Sequence, residues 1–121
     1  VIISIKDWPA GTTIGYGRKG LLPRDSRIAT VPIGYADGFA RCFGNGGAKL
    51  WINGTLCPVV GNVCMDVCMV DVTDAVCKVG DSIEIFGKHV PVTVLADVRG
   101  TIPYEILTSV ANRVKRVYYR E

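Results

Sequence analysis

Short apolar runs, rich in β-branched and aromatic residues, alternate along most of the chain with glycine, proline, asparagine and aspartate. Runs of this length and composition are typical of β-strands separated by tight turns. They predict strands at residues 1–5, 12–16, 26–33, 49–52, 56–60, 62–72 and 82–86. So many strands in one chain indicate a mainly all-β fold, and we expect a small Greek-key-like β-barrel of about seven to nine strands.

One turn and two helices complete the predicted pattern. Asn53 and Gly54 lie between two strand-like runs, and this dipeptide suits the two positive φ angles of a type I′ hairpin turn. Near the end, residues 92–98 and 103–110 predict one or two short helices, with Thr101 as a possible N-cap and Pro103 in the first turn. We expect a single domain over residues 1–121, because a chain of this length can build one hydrophobic core but not two.

The charge pattern does not favour a nucleic-acid partner. The formal net charge is +3, and the one basic concentration alternates with apolar residues, which is typical of a final strand with a solvated face. Its members are Arg113, Lys115, Arg116 and Arg120. We therefore expect no nucleic acid among the partners.

The same composition predicts a cytoplasmic protein without a membrane partner. No apolar run approaches the roughly 20 residues of a membrane helix, and the five cysteines have no disulfide or metal spacing, so we expect buried, reduced thiols and no metal. The chain enters its first strand at Val1 with no lead-in, as a piece of a longer chain would.

One segment places chemical groups at the end of a predicted strand. The apolar run that ends at Ile33 leads into a glycine, Tyr35 and an Asp-Gly turn, and then presents Arg41. Binding groups tend to collect at such strand ends. A phenol and a guanidinium here are consistent with a site, although a structural role for both is as common.

Four motifs in order resemble the C-terminal domain of alanine racemases and together cover nearly the whole chain. They are PIGYADGFAR, which ends at Arg41, VVGNVCMDVCMVDVTD at residues 59–74, VGDSIEIFG at residues 79–87 and TIPYEILTSVANRVKRVY at residues 101–118. A set of four in register is far more specific than any one of them. The resemblance therefore implies a fold, an activity and a set of site residues.

The resemblance implies the following roles. Tyr16 matches the family's catalytic tyrosine, although Gly15 replaces the serine that usually precedes it. Met65 matches the residue whose backbone contacts the substrate carboxylate, and Tyr104 matches the tyrosine that binds the cofactor phosphate. The substrate entryway is implied at three positions, Tyr35, Arg41 and Ile102.

Two further positions qualify these roles. Asn62 stands where many members of the family carry an arginine, so the outer channel is expected to be less basic here. His89, the sole histidine, follows a predicted strand, and we interpret it as a surface loop residue.

The resemblance also implies a cofactor and partners that lie outside this chain. Members of the family interconvert L- and D-alanine for peptidoglycan synthesis with pyridoxal 5′-phosphate, which is bound by an N-terminal TIM-type barrel. They form homodimers in which the tyrosine of one subunit serves the site of the other. Some are fused to a ligase that adds D-alanyl-D-alanine. The isolated domain is therefore expected to be inactive.

The chemistry is consistent with a tyrosine in this role. Racemisation removes a proton from one face of Cα and returns it on the other, so two bases must flank the substrate. In the family, the lysine that holds the cofactor serves one face and the tyrosine the other. A free tyrosine has a pKa near ~10, so a neighbouring cation is needed to stabilise its phenolate, and Arg18 is a candidate.

Two alternative functions remain open from the sequence. A non-catalytic β-barrel binding module would use the same fold, with Met65 as core filler and the Tyr104 ring packed on the core. A related racemase acting on serine or lysine would share the motifs.

Overall fold

The structure, a computed structural model, describes residues 1–14 and 20–116. Most of the regular elements are strands, and two short helices follow them near the end of the chain. The strands are β1 Ser4–Trp8, β2 Thr13–Ile14, β3 Gly20–Leu21, β4 Ser26–Val31, β5 Lys49–Ile52, β6 Thr55–Val60 and β7 Cys68–Asp71, and the helices are α1 Val92–Arg99 and α2 Pro103–Thr108. The predicted mainly β class with short C-terminal helices is confirmed.

Five strands form one antiparallel sheet in the order β1-β4-β7-β6-β5, and β2 pairs with β3 in a separate two-stranded ribbon. Crossing from β4 to β7 joins segments distant in sequence, with Val31 opposite Cys68. The pairings within the described ranges run as an open series from β1 to β5. Closure into a Greek-key-like barrel therefore stays a prediction.

Both faces of the sheet are covered, which explains the density of apolar residues in the strands. On one face Ala29 and Val70, both fully buried, belong to the main core together with residues from the helices. On the other face Ile28 packs with Ile14 and Leu22 of the ribbon segment in a smaller cluster. Because side chains alternate along a strand, neighbours in sequence such as Ile28 and Ala29 serve opposite cores.

The hairpin between β5 and β6 forms where the sequence predicted it. Asn53 has φ +46° and Gly54 has φ +93°, the two positive angles that a type I′ turn requires. The turn sets the register that places Leu50 opposite Cys57. Both side chains are buried in the main core, so this local signal also positions core residues.

The helices end and begin largely as expected. Gly100, at φ +75°, terminates α1 in the left-handed conformation, and Pro103 occupies the first turn of α2. The N-cap of α2 is Ile102 rather than Thr101. The hydroxyl of Thr101 instead donates a hydrogen bond to the Glu105 carboxylate, at 2.7 Å.

The predicted strand at residues 82–86 is wrong. A single antiparallel bridge joins Glu84 to Trp51, and the chain then curls into a loop. The Glu84 carboxylate holds this loop: one of its oxygens accepts hydrogen bonds from the backbone N–H groups of His89 and Val90, each at 2.7 Å. A carboxylate that binds backbone donors in this way competes with ladder hydrogen bonds.

Three other predicted strands need correction. The first runs over Ser4–Trp8 rather than residues 1–5. Of residues 62–72, only Cys68–Asp71 is a strand, because the preceding loop bonds to residues 34–36 instead of to a neighbouring strand. The predicted final strand is absent from residues 113–116, the part of that segment that the structure describes. Arg120 lies outside the described residues.

The cysteines are free thiols in differing surroundings. Burial raises the pKa of the Cys57 thiol to about 11 and that of Cys68 to about 12, which keeps both protonated and unreactive. The expectation of a buried thiol is wrong for Cys42, which is exposed. Among residues 1–14 and 20–116, no helix is long and apolar enough to cross a membrane.

Candidate functional site

Tyr35, one of the predicted entryway residues, lies in a tight 3₁₀ turn, Tyr35–Asp37, just after β4. Asp37 stabilises this turn because its carboxylate accepts a hydrogen bond from the Gly34 N–H at 2.9 Å. Gly38 ends the turn at φ +101°, where a Cβ would also lie 2.2 Å from the carbonyl oxygen of Ser109. Glycine is therefore required there both for its conformation and for its lack of a side chain.

The loop that carries Met65 lies directly against this turn. The N–H of Tyr35 donates to the carbonyl oxygen of Cys64, and the N–H of Ala36 donates to that of Met65, both at 3.0 Å. A Cβ on Gly34 would come within 2.2 Å of the Cys64 oxygen. The two backbones therefore touch, and only glycine at position 34 allows the contact.

Three of the predicted site residues line one open pocket of about 290 Å³ on the surface beside this contact. The full lining is Tyr35, Arg41, Asn62, Val63, Cys64 and Met65. Asn62, predicted to make the outer channel less basic, is thus part of the same pocket, and its side-chain oxygen accepts a hydrogen bond from Asn45 at 3.0 Å. Met65 is 53% exposed, so the alternative interpretation of this residue as core filler is wrong.

The remaining described site residues lie on α2. Ile102 is its N-cap and Tyr104 its second residue, and neither lines the pocket beside Tyr35. Tyr104 is 75% exposed, so the alternative in which its ring packs on the core is wrong. An exposed phenol at this position is free to contact a group outside the domain.

Tyr16, the predicted catalytic residue, lies outside the described residues, as do Gly15 and Arg18. The described strands on either side, β2 and β3, pair Ile14 with Gly20. The predicted catalytic role of Tyr16 rests on the sequence alone.

An ion-pair bridge that the sequence did not predict joins the turn to the Met65 loop. Arg113 donates from Nε to Asp37 at 2.6 Å and from a terminal nitrogen to Asp66 at 2.7 Å. The hydrogen bond from Arg113 holds the pKa of Asp37 below its usual range, and the two carboxylates raise the pKa of Arg113. No signal in one sequence connects residues 76 and 47 positions apart.

A second, larger cavity of about 670 Å³ is mainly apolar and lies between α1, α2 and the loop at residues 82–89. On its rim, the ring of His89 stacks on Trp51 with centroids 4.3 Å apart and also contacts Glu84. His89 is an exposed loop residue, as predicted, and its ring stacks on Trp51. The described residues contain no cluster of three or more candidate metal ligands.

Comparison with known proteins matches the chain to one family over nearly its whole length. The family model described as "Alanine racemase, C-terminal domain" matches residues 1–118. An alanine racemase of Clostridium novyi is 46% identical over 98% of this chain. Alanine racemase 1 of Caldanaerobacter subterraneus is 45% identical, also over 98% of the chain.

Solved structures agree with the sequence relatives. The alanine racemase of Bartonella henselae with covalently bound pyridoxal phosphate superposes with a TM-score of 0.91 at 38% identity, covering 98% of this chain and 33% of that one. The alanine racemase of Clostridium difficile gives the same TM-score at 44% identity, with 98% and 31% covered. The chain spans about a third of the length of the curated relatives, 32% for Clostridium novyi and 31% for Caldanaerobacter. This chain belongs to the alanine racemase family, of which it is a C-terminal domain.

Proposed function

We propose that the protein carrying this chain is a pyridoxal-phosphate-dependent alanine racemase, and that this domain supplies one of its two proton-transfer groups. The observation that supports this best is the pocket beside the turn, where Tyr35 and Arg41 of one motif meet Met65 of another. These are residues that a racemase domain would present to substrate, and all belong to motifs of the matched family. The isolated domain is proposed to be inactive.

Tyr16 is the proposed acid–base group on one face of the substrate Cα. Its phenolate takes the proton in one direction of the reaction, and its phenol returns a proton in the other. The second group, a lysine, lies in the absent part of the protein. Bound pyridoxal phosphate supplies the electron sink that makes the Cα proton removable.

Met65 is proposed to bind the substrate carboxylate through its backbone N–H. Its carbonyl oxygen already accepts from Ala36, whereas no described residue accepts a hydrogen bond from the Met65 N–H. A backbone N–H on an exposed loop can donate to an anionic oxygen. The carboxylate of alanine would satisfy it.

Arg41 and Tyr35, with Ile102 outside the pocket, are proposed to form the substrate entryway. Among the described carboxylates none pairs with Arg41. A guanidinium in a pocket attracts anions. It would therefore draw the substrate carboxylate inward.

Tyr104 is the proposed contact of this domain with the cofactor phosphate, and its exposure at the start of α2 is consistent with that role. The other phosphate contacts are expected in the N-terminal TIM-type barrel.

We further propose a cytoplasmic homodimer in which Tyr16 of one subunit completes the site of the other. We propose that the product D-alanine is used in peptidoglycan synthesis. Fusion to a ligase is a separate prediction, which the length of the parent chain would test.

Tyr16→Phe in the full-length protein tests the function. We expect loss of about 100-fold or more in racemisation, because a positioned acid–base group contributes about that much. Exchange of the Cα proton with solvent should persist from one enantiomer of alanine only, since one base remains. Chiral chromatography and exchange in D₂O measure both, while cofactor absorbance verifies loading.

Tyr119→Phe is the matched control, because residue 119 lies beyond the residues that match the family. It should retain normal turnover. Equal turnover of Tyr16→Phe and wild type would remove the proposed role. Faster turnover of serine or lysine than of alanine would replace alanine as the proposed substrate. If the wild-type protein racemised none of them, a non-catalytic binding module would be favoured.

A further inference from the structure

Each of the two loops that meet at the pocket is held at two points. In the first loop the Tyr35 N–H is bonded to Cys64, and the Asp37 carboxylate, two residues later, is bonded to Arg113. In the second loop the Met65 carbonyl is bonded to the turn, and the neighbouring Asp66 carboxylate is bonded to the same guanidinium. The junction between residues 34–37 and residues 64–66 is the seam. Arg113 therefore adds a side-chain bridge across this seam, beside the backbone hydrogen bonds.

Arg113 itself is anchored to the turn by the chain around it. The N–H of Ala111 donates to the carbonyl oxygen of Asp37 at 3.0 Å, and Ser109 lies against Gly38 so closely that a Cβ there would be 2.2 Å from its oxygen. The segment at residues 109–113 is thus fixed relative to the turn. Its arginine reaches from this fixed position to the second loop.

Arg113 compensates the negative charges of Asp37 and Asp66 where the two loops meet. The Asp37 side chain is 13% exposed, whereas that of Asp66 is 62% exposed. Both carboxylates lie within 2.7 Å of one guanidinium and hence close to each other. Without that cation, two like charges at the seam would repel and push the loops apart.

We infer that Arg113 is a positioning residue of the substrate pocket: by bridging Asp37 and Asp66 it sets the distance between the loops that carry Tyr35 and Met65. The inference rests on the proposed racemase function of the pocket. A planar guanidinium can direct separate N–H groups at two carboxylates, whereas the compact ammonium of lysine lacks this fork. Arg113 has no contact with the reacting atoms in this role.

A mutant cycle in the full-length holoenzyme tests the inference, with alanine as the substrate. The variants are Arg113→Met, Arg113→Lys, Asp66→Asn and the double variant that combines Arg113→Met with Asp66→Asn. The control is Arg24→Met, since Arg24 forms a comparable exposed ion pair with Asp74 at 2.8 Å, and neither residue belongs to the pocket lining. KM, kcat, cofactor absorbance and melting temperature are measured for each.

We expect Arg113→Met to raise KM for alanine at least about fivefold with little change in kcat. Displacing a positioning group by about 1 Å can lower catalytic efficiency up to about 100-fold. Arg113→Lys should recover the melting temperature but not KM. Adding Asp66→Asn to Arg113→Met should lower KM again, because it removes the repulsion. Arg24→Met should leave KM unchanged.

A second readout does not require activity. Cys64 is a half-buried residue of the pocket lining, and its thiol donates to the Asn62 carbonyl oxygen at 3.8 Å. Opening of the seam in Arg113→Met should therefore speed alkylation of Cys64 by a water-soluble maleimide at least about threefold relative to wild type, as local opening raises reactivity. Peptide mass spectrometry separates Cys64 from Cys57, which is buried and serves as the internal control.

The outcomes separate the two proposals. If the unchanged protein does not racemise alanine, the proposed function fails, and the rate of Cys64 alkylation still decides the role of Arg113. If it racemises alanine and Arg113→Met keeps both the KM and the Cys64 rate of wild type, only the role of Arg113 fails. A uniform loss of kcat and melting temperature that lysine fully restores would assign Arg113 a structural role instead.

Discussion

At the residue scale, close backbone contact decides the shape of the candidate site. Gly34 has an extended conformation, φ −149°, which any residue can adopt, so it is required for space and not for its backbone angles. An added Cβ would lie 2.2 Å from the Cys64 oxygen and 2.4 Å from the Met65 oxygen. Because these obstacles are backbone atoms, no side-chain rotation can relieve the clash.

Gly34→Ala should therefore separate the two loops and destabilise the fold by about 3 kcal/mol, at the upper end for overpacking. Urea unfolding of the 121-residue chain, followed by tryptophan fluorescence, measures the change. Gly54→Ala is the control, since φ is +93° and nothing lies within 4 Å of an added Cβ. It should cost only about 1 kcal/mol from the left-handed backbone, and a smaller loss for Gly34→Ala than for this control would contradict the steric account.

At the element scale, the loop after Glu84 is held by one carboxylate. Burial acts to raise the pKa of Glu84, but hydrogen bonds from the N–H groups of His89 and Val90 and from the His89 ring outweigh it, so the pKa lies below its usual value. The ionised form is therefore bound more favourably in the folded state than in the unfolded state. Acid should loosen this element.

The sign of the pH dependence follows from that lowered pKa. The stabilisation by ionised Glu84 is fully present above its unfolded pKa of about 4.3 and is lost as the pH falls through the lower folded value. Glu84→Gln should remove this part of the acid dependence. Unfolding of the isolated chain, measured at about pH 7 and in steps below pH ~4.3, should show wild type losing its advantage over the variant.

Glu105→Gln is the comparison for that measurement, because the Glu105 carboxylate contacts side chains, accepting from the Thr101 hydroxyl and pairing with Arg99 at 3.7 Å. Its stability relative to wild type should change much less with pH. A constant difference between wild type and Glu84→Gln across the whole range would contradict the assignment.

At the scale of the whole molecule, the domain exposes apolar groups on its last helix. Tyr104 and Leu107 lie three residues apart, hence on one face of α2, and both are exposed, as is the N-cap Ile102. The chain spans only about a third of its relatives. We propose that the remainder of the protein covers this face.

The isolated chain should consequently self-associate more than the full-length protein. Leu107→Ser should weaken that association at least about tenfold, because burying a leucine side chain contributes about 1.5 kcal/mol or more. Sedimentation velocity over a concentration series measures it. Val76→Ser, at a loop residue that is 89% exposed, is the control. Equal effects of the two variants would argue against α2 as the surface through which the chains associate.

Sequence patterns predicted elements wherever the cause was local. The hairpin at Asn53 and Gly54 and the proline at the start of α2 each depend on the conformational preference of one or two residues. The strand expected at residues 82–86 failed because a carboxylate competes for backbone donors that lie several residues later. That competition depends on the path of the loop, which periodicity does not encode.

The candidate site divides in the same way. The motifs around Tyr35, Met65 and Tyr104 identified the family and the residues to examine, since each is a local string of letters. That Tyr35, Arg41 and Met65 share a pocket while Tyr104 lies outside its lining was decided by tertiary structure.

By itself, the amino-acid sequence determined the mainly β class, the hairpin, the short C-terminal helices and membership in the alanine racemase family. Only the tertiary structure decided that backbone contact joins the Tyr35 turn to the Met65 loop and that Arg113 bridges Asp37 and Asp66. The physical reason is the range of the forces involved. Local preferences act within a few residues, whereas charge pairing and close packing act between atoms that meet only after the chain has folded.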